Sequence, residues 1–341
     1  MTSIAFAIAG VGFTVRGPVS LVSHLETLFA AFPKPTKSPH WNLSWEGVCC
    51  SYDPAAAPIT IPSPDFAPSC TTVLIGYLLR RSLAAAIFLH GNAVIDRNGR
   101  VLILLGESGA GKTTLSQQFL SRVGCRLLAE DFLIIDPVMR LLHPYPRAAS
   151  IRAEHQSREK EHRPVVDFCG EARSLENSLV VILQCGREQT SSSSRMSLWL
   201  SSIPAGIDSL MQSAGIESFE VNRGAPFPCV TFTAGVGGRM DALSESLLRA
   251  GALPLGTAAP DADSTHAPRV FPEEPSGHRM SMGDALAAIT AHQVRFGSRD
   301  ESPARNILNL ARAFSDASCA LVTPGGTPAQ TVDLIEALPR S

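Results

Sequence analysis

Short continuous apolar runs alternate along this chain with stretches whose apolar residues recur every three or four positions. The first kind predicts buried strands over residues 4–15, 41–52, 90–95, 101–105, 126–129, 132–136, 178–184, 196–200, 229–233 and 319–322. The second predicts helices over 19–32, 71–88, 112–123, 204–213, 241–249, 282–295, 304–314 and 328–338. Strands and helices interleaved in this way define an α/β protein. The turn Asp96-Arg97-Asn98-Gly99 between two β-rich runs predicts a hairpin, which sets His90 close to whatever follows Leu105.

The same pattern divides the chain. Residues 1–68, broken by prolines at 33, 35, 39, 54, 58, 62, 64 and 68, predict a small N-terminal α+β unit of short pieces joined by turns. Residues 69–251 carry the main α/β pattern. Residues 252–279, rich in Pro, Asp and Ser, predict a linker or disordered insert, and 280–341 a helical C-terminal extension. The stretch 151–163 is rich in Arg, Glu and His without apolar periodicity, and predicts a mobile, solvated loop or helix.

Composition narrows the function classes. An apolar content of 45% with 18% charged residues marks a packed globular protein. A net charge of −2 supplies no basic surface for nucleic acid or an acidic membrane. The eight cysteines, at 49, 50, 70, 125, 169, 185, 229 and 319, form no C-x-x-C pair. Reduced thiols in a cytoplasmic protein are expected, with neither a disulfide framework nor a zinc site. The N-terminal apolar run has no basic residue before it and is short for a membrane span, so no transmembrane helix is expected.

The candidate chemistry centres on residues 101–120. Five apolar residues run into Gly106-Glu107-Ser108-Gly109-Ala110-Gly111-Lys112-Thr113, which fits G-x-x-x-x-G-K-[ST] at every fixed position. Binding a polyphosphate takes several converging backbone N–H donors and a loop with few side chains in the way, and the glycines at 106, 109 and 111 permit that wrap. Lys112 supplies a cation, the Thr113 hydroxyl suits Mg²⁺, and the helix beginning at Lys112 points its positive dipole end at the anion. Since only four lysines occur in the chain, a chance match is improbable. Downstream, Glu130-Asp131 breaks an apolar strand, where buried acids are costly unless a metal or a catalytic task compensates.

The stretches Leu89-His90-Gly91, Gly106 to Thr113 and Ala129-Glu130-Asp131 resemble, in order and spacing, the catalytic domain of the bacterial HPr kinase/phosphorylase family. Those serine kinases have a Leu-His-Gly strand, a G-x-S-G-x-G-K-[ST] loop and an Ala-Asp-Asp strand. The resemblance covers about 89–136 and weakens from there to about 249. It is closer to shorter HPr kinase-like proteins, some encoded beside lasso-peptide pathways; Pro144-Tyr145-Pro146-Arg147 is similar to a Pro-Tyr-Pro segment of theirs.

This resemblance implies a P-loop kinase domain with a mixed sheet of HPr kinase/PEP carboxykinase type. ATP would be the donor, Mg²⁺ the metal, and a serine hydroxyl of a peptide or protein the acceptor, a lasso-type precursor peptide being one case. It implies nucleotide binding by Gly106, Glu107, Ser108, Gly109, Ala110, Gly111, Lys112, Thr113 and Thr114. Catalysis would fall to His90, Glu130, Asp131 and Lys112, with Glu130 as base oriented by His90, and Thr113 and Asp131 on the metal. Glu130 replaces the family's first Asp and sets its carboxylate one methylene further out, so the base stays open between 130 and 131. Gly238-Arg239 resembles the family's late Gly-Arg, which makes Arg239 a phosphate-facing candidate. Hexamers in that family imply a homo-oligomer. Two other readings fit the same residues: a kinase of a free amino acid or metabolite, and a non-catalytic nucleotide-gated regulatory module.

Overall fold

In the computed structural model, the structure describes residues 1–107, 109–152, 160–163, 167–184, 195–216, 218–224, 227–233, 240–258, 271–293 and 303–338. The N-terminal sheet has five strands in chain order: β1 (Thr2–Ile8), β2 (Val11–Gly17), β3 (Trp41–Glu46), β4 (Cys49–Ser51) and β5 (Ile59–Thr60), with only the β2–β3 pair parallel. The predicted single strand over 4–15 is a hairpin. Ala9 and Gly10 both take positive φ, 47° and 80°, the turn whose twist matches a two-residue hairpin. An alanine there gives no turn signal, which is why the apolar run reads as unbroken.

Helix α1 (Val19–Phe29) lays Leu21, Leu25 and Leu28 against this sheet, and Phe29 stacks on Phe6 with centroids 4.4 Å apart. Helix α2 (Ala67–Ser82) then leads into β6 (Ile87–Leu89) and β7 (Gly91–Ile95). The predicted hairpin is present: β7 pairs antiparallel with β8 (Val101–Gly106), Gly91 opposite Leu105, and Asp96 ties the turn through the amides of Asn98 and Arg100. Helix α3 (Lys112–Leu120) follows, then β9 (Arg126–Ala129), β10 (Leu133–Asp136) and β11 (Leu141–His143).

The charged stretch expected as a solvated loop or helix is in part an antiparallel pair, β12 (Ala149–Arg152) with β13 (Lys160–Arg163); 153–159 lie outside the described residues. Backbone ladder bonds alone can define such a pair, so no apolar pattern announces it. After β14 (Arg173–Ser174) and β15 (Leu179–Leu183) comes a βαββαβ unit: β16 (Arg195–Leu200), α4 (Ile207–Ser213), β17 (Phe219–Asn222), β18 (Cys229–Thr233), α5 (Met240–Arg249) and β19 (Pro254–Ala258). Its sheet order is β17-β18-β16-β19, antiparallel throughout, and the helices cover the face bearing Leu198, Leu200, Val230 and Phe232.

The last elements are β20 (Ser276–Arg279), α6 (Met282–Ala291), α7 (Pro303–Ala313), β21 (Ser318–Thr323) and α8 (Pro328–Ala337). Two expectations change here. Residues 254–258 and 276–279, read as linker, are edge strands, short enough that their pairing rather than their apolar content defines them. Nor is the C-terminal part a helical extension alone, because β21 sits inside the main sheet.

That sheet has the order β20-β21-β15-β8-β7-β9, with β15 parallel to both β8 and β21 and the remaining pairs antiparallel. A smaller one runs β14-β11-β10-β6. The β8 run is continuously apolar because both faces are buried. Ile103 and Leu105 join the cluster containing Phe6, Leu74, Leu89 and Leu133, while Leu102 and Leu104 join Leu115, Phe119, Val181 and Val332 beneath α3 and α8. The chain is thus a mixed α/β protein, with eight helices among the described residues. None of them is long and apolar enough to cross a membrane.

Candidate functional site

The site gathers where β6 meets β7, β8 ends, α3 begins and β9 ends. Gly91 must be glycine: a Cβ there would lie 2.6 Å from Leu105 Cδ2 and 2.7 Å from the Leu104 carbonyl. This close approach lets His90 sit beside the loop that follows β8. Within the loop Gly109 and Gly111 take φ of 82° and 92°, which only glycine adopts at no cost, and Gly111 opens α3. Ala110 is buried, Glu107, Gly109 and Thr114 are exposed, and Ser108 lies outside the described residues. Lys112 is buried and donates from Nζ to the carbonyls of Gly106 at 2.8 Å and Glu107 at 3.1 Å. Backbone amides, a lysine and a helix N-terminus therefore converge on one loop, the arrangement that binds an oxyanion.

Beyond β9 the two acids diverge. Asp131 has φ 69°, a left-handed conformation in which neighbouring side chains leave the backbone in different directions. Glu130 turns inward and is 2% exposed. It accepts from Thr113 Oγ1 at 2.8 Å and from Asn92 Nδ2 at 2.8 Å. Asp131 turns to the surface, with 43% of its side chain exposed. His90 Nδ1 lies 3.3 Å from its Oδ1 and Arg147 Nη1 3.4 Å from its Oδ2. His90 Nδ1 also lies 3.0 Å from the Asp131 carbonyl.

The structure thus brings together His90, Lys112, Thr113, Glu130 and Asp131, as the sequence predicts, but pairs them the other way. Histidine meets Asp131 rather than Glu130, and the threonine hydroxyl meets Glu130 rather than Asp131. The left-handed turn at 131 is the physical reason, and no sequence pattern encodes it at an aspartate. Arg239 lies outside the described residues.

Four residues of the site carry no motif. Asn92, buried in the apolar strand β7, also donates to Ser116 Oγ at 2.9 Å and accepts from the Asp131 amide at 2.9 Å. One amide therefore braces both acids and the first turns of α3. A polar residue inside a fully buried strand was the available signal. Ser116 in turn donates to the Lys112 carbonyl at 3.0 Å. Arg147 closes the Pro144-Tyr145-Pro146-Arg147 stretch, whose resemblance marks the segment without assigning the arginine a role. His292 comes from the end of α6, where its carbonyl accepts from the His90 amide at 2.8 Å. Its imidazole pKa is lowered by burial, then by Lys112 and His90, with Glu107 opposing. Those partners set it beside the glycine-rich loop.

Burial pushes the Glu130 carboxyl up to about 7; the Thr113 hydrogen bond opposes the shift, Asp131 adds to it, and Arg147 and Asn92 oppose it. A folded-state pKa above the unfolded one means the folded chain holds the proton more tightly, so stability falls as pH rises from about 4.5 through about 7. The shift corresponds to about 3 kcal/mol at about pH 8. Glu130→Gln, which cannot ionise, is expected to melt several degrees higher than the parent at about pH 8, without nucleotide or divalent ions, and equally at about pH 4. Parallel melting curves at both pH values check this.

Among the described residues no cluster of three or more His, Cys, Asp or Glu side chains could hold a metal unaided. The adjacent Thr113 hydroxyl and Glu130 carboxylate are nevertheless hard oxygen donors. As a pair they fit a hard divalent cation such as Mg²⁺, and these two residues would hold it.

No protein-family model and no curated protein matches the chain. Among solved structures, the chain is similar to the Hpr(Ser) kinase/phosphatase from Coxiella burnetii at 15% identity, over 48% of this chain and 88% of that one, with a TM-score of 0.18.

Proposed function

We propose that this chain is an ATP-dependent phosphotransferase that moves the γ-phosphoryl group to a hydroxyl, with serine in a peptide or protein as the acceptor class and lasso-type precursor peptides among its members. The observation that carries the reading is the division of the acid pair beside one phosphate loop: Glu130 on Thr113, Asp131 on His90 and Arg147. A kinase needs one oxygen cluster for the metal side of the nucleotide and one partly exposed carboxylate for the incoming hydroxyl.

The loop amides and Lys112 bind the phosphates, Lys112 exchanging the Gly106 and Glu107 carbonyls for phosphate oxygens. Thr113 and Glu130 would hold Mg²⁺, which when bound neutralises charge on the β- and γ-phosphates. Asp131 takes the proton of the attacking hydroxyl, while His90 and Arg147 fix its two oxygens. Asn92 keeps both acids in register with α3. The roles implied by the family resemblance are thereby exchanged: Asp131 is the base and Glu130 the metal-side acid.

Incubating the protein with γ-labelled ATP, Mg²⁺ and a panel of serine peptides, a lasso-type precursor peptide and free serine tests this. Label is expected on a peptide. Label on free serine alone would move the acceptor to small molecules, and label in no acceptor would leave a nucleotide-gated module.

A further inference from the structure

Arg147 ties the acid at 131 to the N-terminal unit. Tyr145 pairs with the acid-bearing strand, its amide donating to the Leu128 carbonyl at 2.8 Å and its carbonyl accepting from the Glu130 amide at 3.0 Å. Its ring is buried between Phe132 and Phe32, with centroid distances of 5.4 and 5.2 Å, and Phe32 follows α1. Three residues on, Ala148 donates to the Leu28 carbonyl of α1 at 3.1 Å. Between these anchors the Arg147 side chain, 16% exposed, reaches Asp131 Oδ2 at 3.4 Å. Across from it on α1 stands His24, whose pKa is lowered first by burial and then by Arg147.

We propose that Arg147 is a positioning residue for Asp131, and that helix α1, by seating residues 145–148, makes the N-terminal unit part of the machinery that sets the acid. This rests on the reading of Asp131 as the base. His90 and Arg147 hold one carboxylate oxygen each, so losing either leaves Asp131 with a single anchor and a wider range of side-chain torsions. A rotated carboxylate loses its aim at an incoming hydroxyl, while the loop that grips the phosphates is untouched. The N-terminal unit acts at a distance from the nucleotide: any partner that shifts α1 shifts Arg147.

The test uses the full chain with Arg147→Gln and Arg147→Lys. The Gln variant is expected to bind a fluorescent ATP analogue as the parent does and to melt within a few degrees of it. Its kcat for γ-phosphoryl transfer from ATP, to water or to a serine peptide, should fall at least ten-fold with KM for ATP unchanged; the Lys variant recovers part of the loss. Independently of turnover, the labelled imidazole resonances of His24 and His90, assigned with His24→Gln and His90→Gln, are both expected to move in Arg147→Gln. A shift at His24 with His90 unmoved, or parental kcat in the Gln variant, overturns the proposal. If the parent itself transfers phosphate to no acceptor, the kinase reading fails, and the two resonances still decide whether Arg147 links α1 to Asp131.

Discussion

Asp131→Asn is expected to bind ATP as the parent does and to transfer phosphate about 10²–10⁴ times more slowly, the usual loss when a general base is removed. The substitution keeps the shape of the side chain and its exposed position, and leaves the Asp131 backbone contacts to Asn92 and His90 in place. What changes is the capacity to accept a proton from the acceptor hydroxyl. An amide also presents donors where His90 and Arg147 expect an acceptor, so one of the two oxygen contacts is lost as well. Nucleotide titration beside steady-state kinetics separates the effects: kcat falls and the dissociation constant holds. A variant at parental kcat would remove Asp131 from the chemistry and return the base to Glu130, the other acid that the sequence left open.

Lys112→Ala should act on both quantities. Its ammonium is the cation embedded in the loop, and its removal takes away both ground-state attraction for the phosphates and the charge that stabilises the transferring group, worth on the order of 10²–10³ in rate. The fold is expected to survive, because Lys112, at the start of α3, lies outside the hydrophobic clusters and, of the two carbonyls it satisfies, that of Glu107 belongs to an exposed residue. Calorimetry with Mg·ATP should show weakened binding, and the turnover assay near-complete loss. Tight binding retained without the lysine would mean that the loop is not the phosphate cradle.

The sequence made the cradle and its neighbours legible because their chemistry is tied to residue type. Glycines at 109 and 111 are the residues that adopt the left-handed turns, and the β7–β8 hairpin carries its turn signal at Asn98-Gly99. The burial of β8 on both faces is equally plain in its unbroken apolar run. What stayed hidden depended on backbone conformation at residues that do not advertise it. Ala9 takes positive φ inside an apolar run and splits one strand into two. Asp131 does the same at the end of β9 and exchanges the partners of two acids. Arg147 and His292 lie in segments the sequence does mark, a Pro-Tyr-Pro-Arg stretch and a periodic helix, but nothing in either pattern says that they reach the site, one held against α1 and the other at the end of α6. Such residues are found by tertiary contact and by nothing shorter in range.

The arrangement of the main sheet has a consequence for synthesis. The strand that launches the glycine-rich loop spans 101–106, its parallel neighbour 179–183, and the next strand outward 318–323, so each pairing closes a long stretch of chain. A nascent polypeptide on the ribosome would carry the finished loop sequence long before the strand that completes its sheet has left the exit tunnel. Premature stop codons ahead of residue 318 should therefore yield aggregation-prone fragments rather than smaller folded proteins.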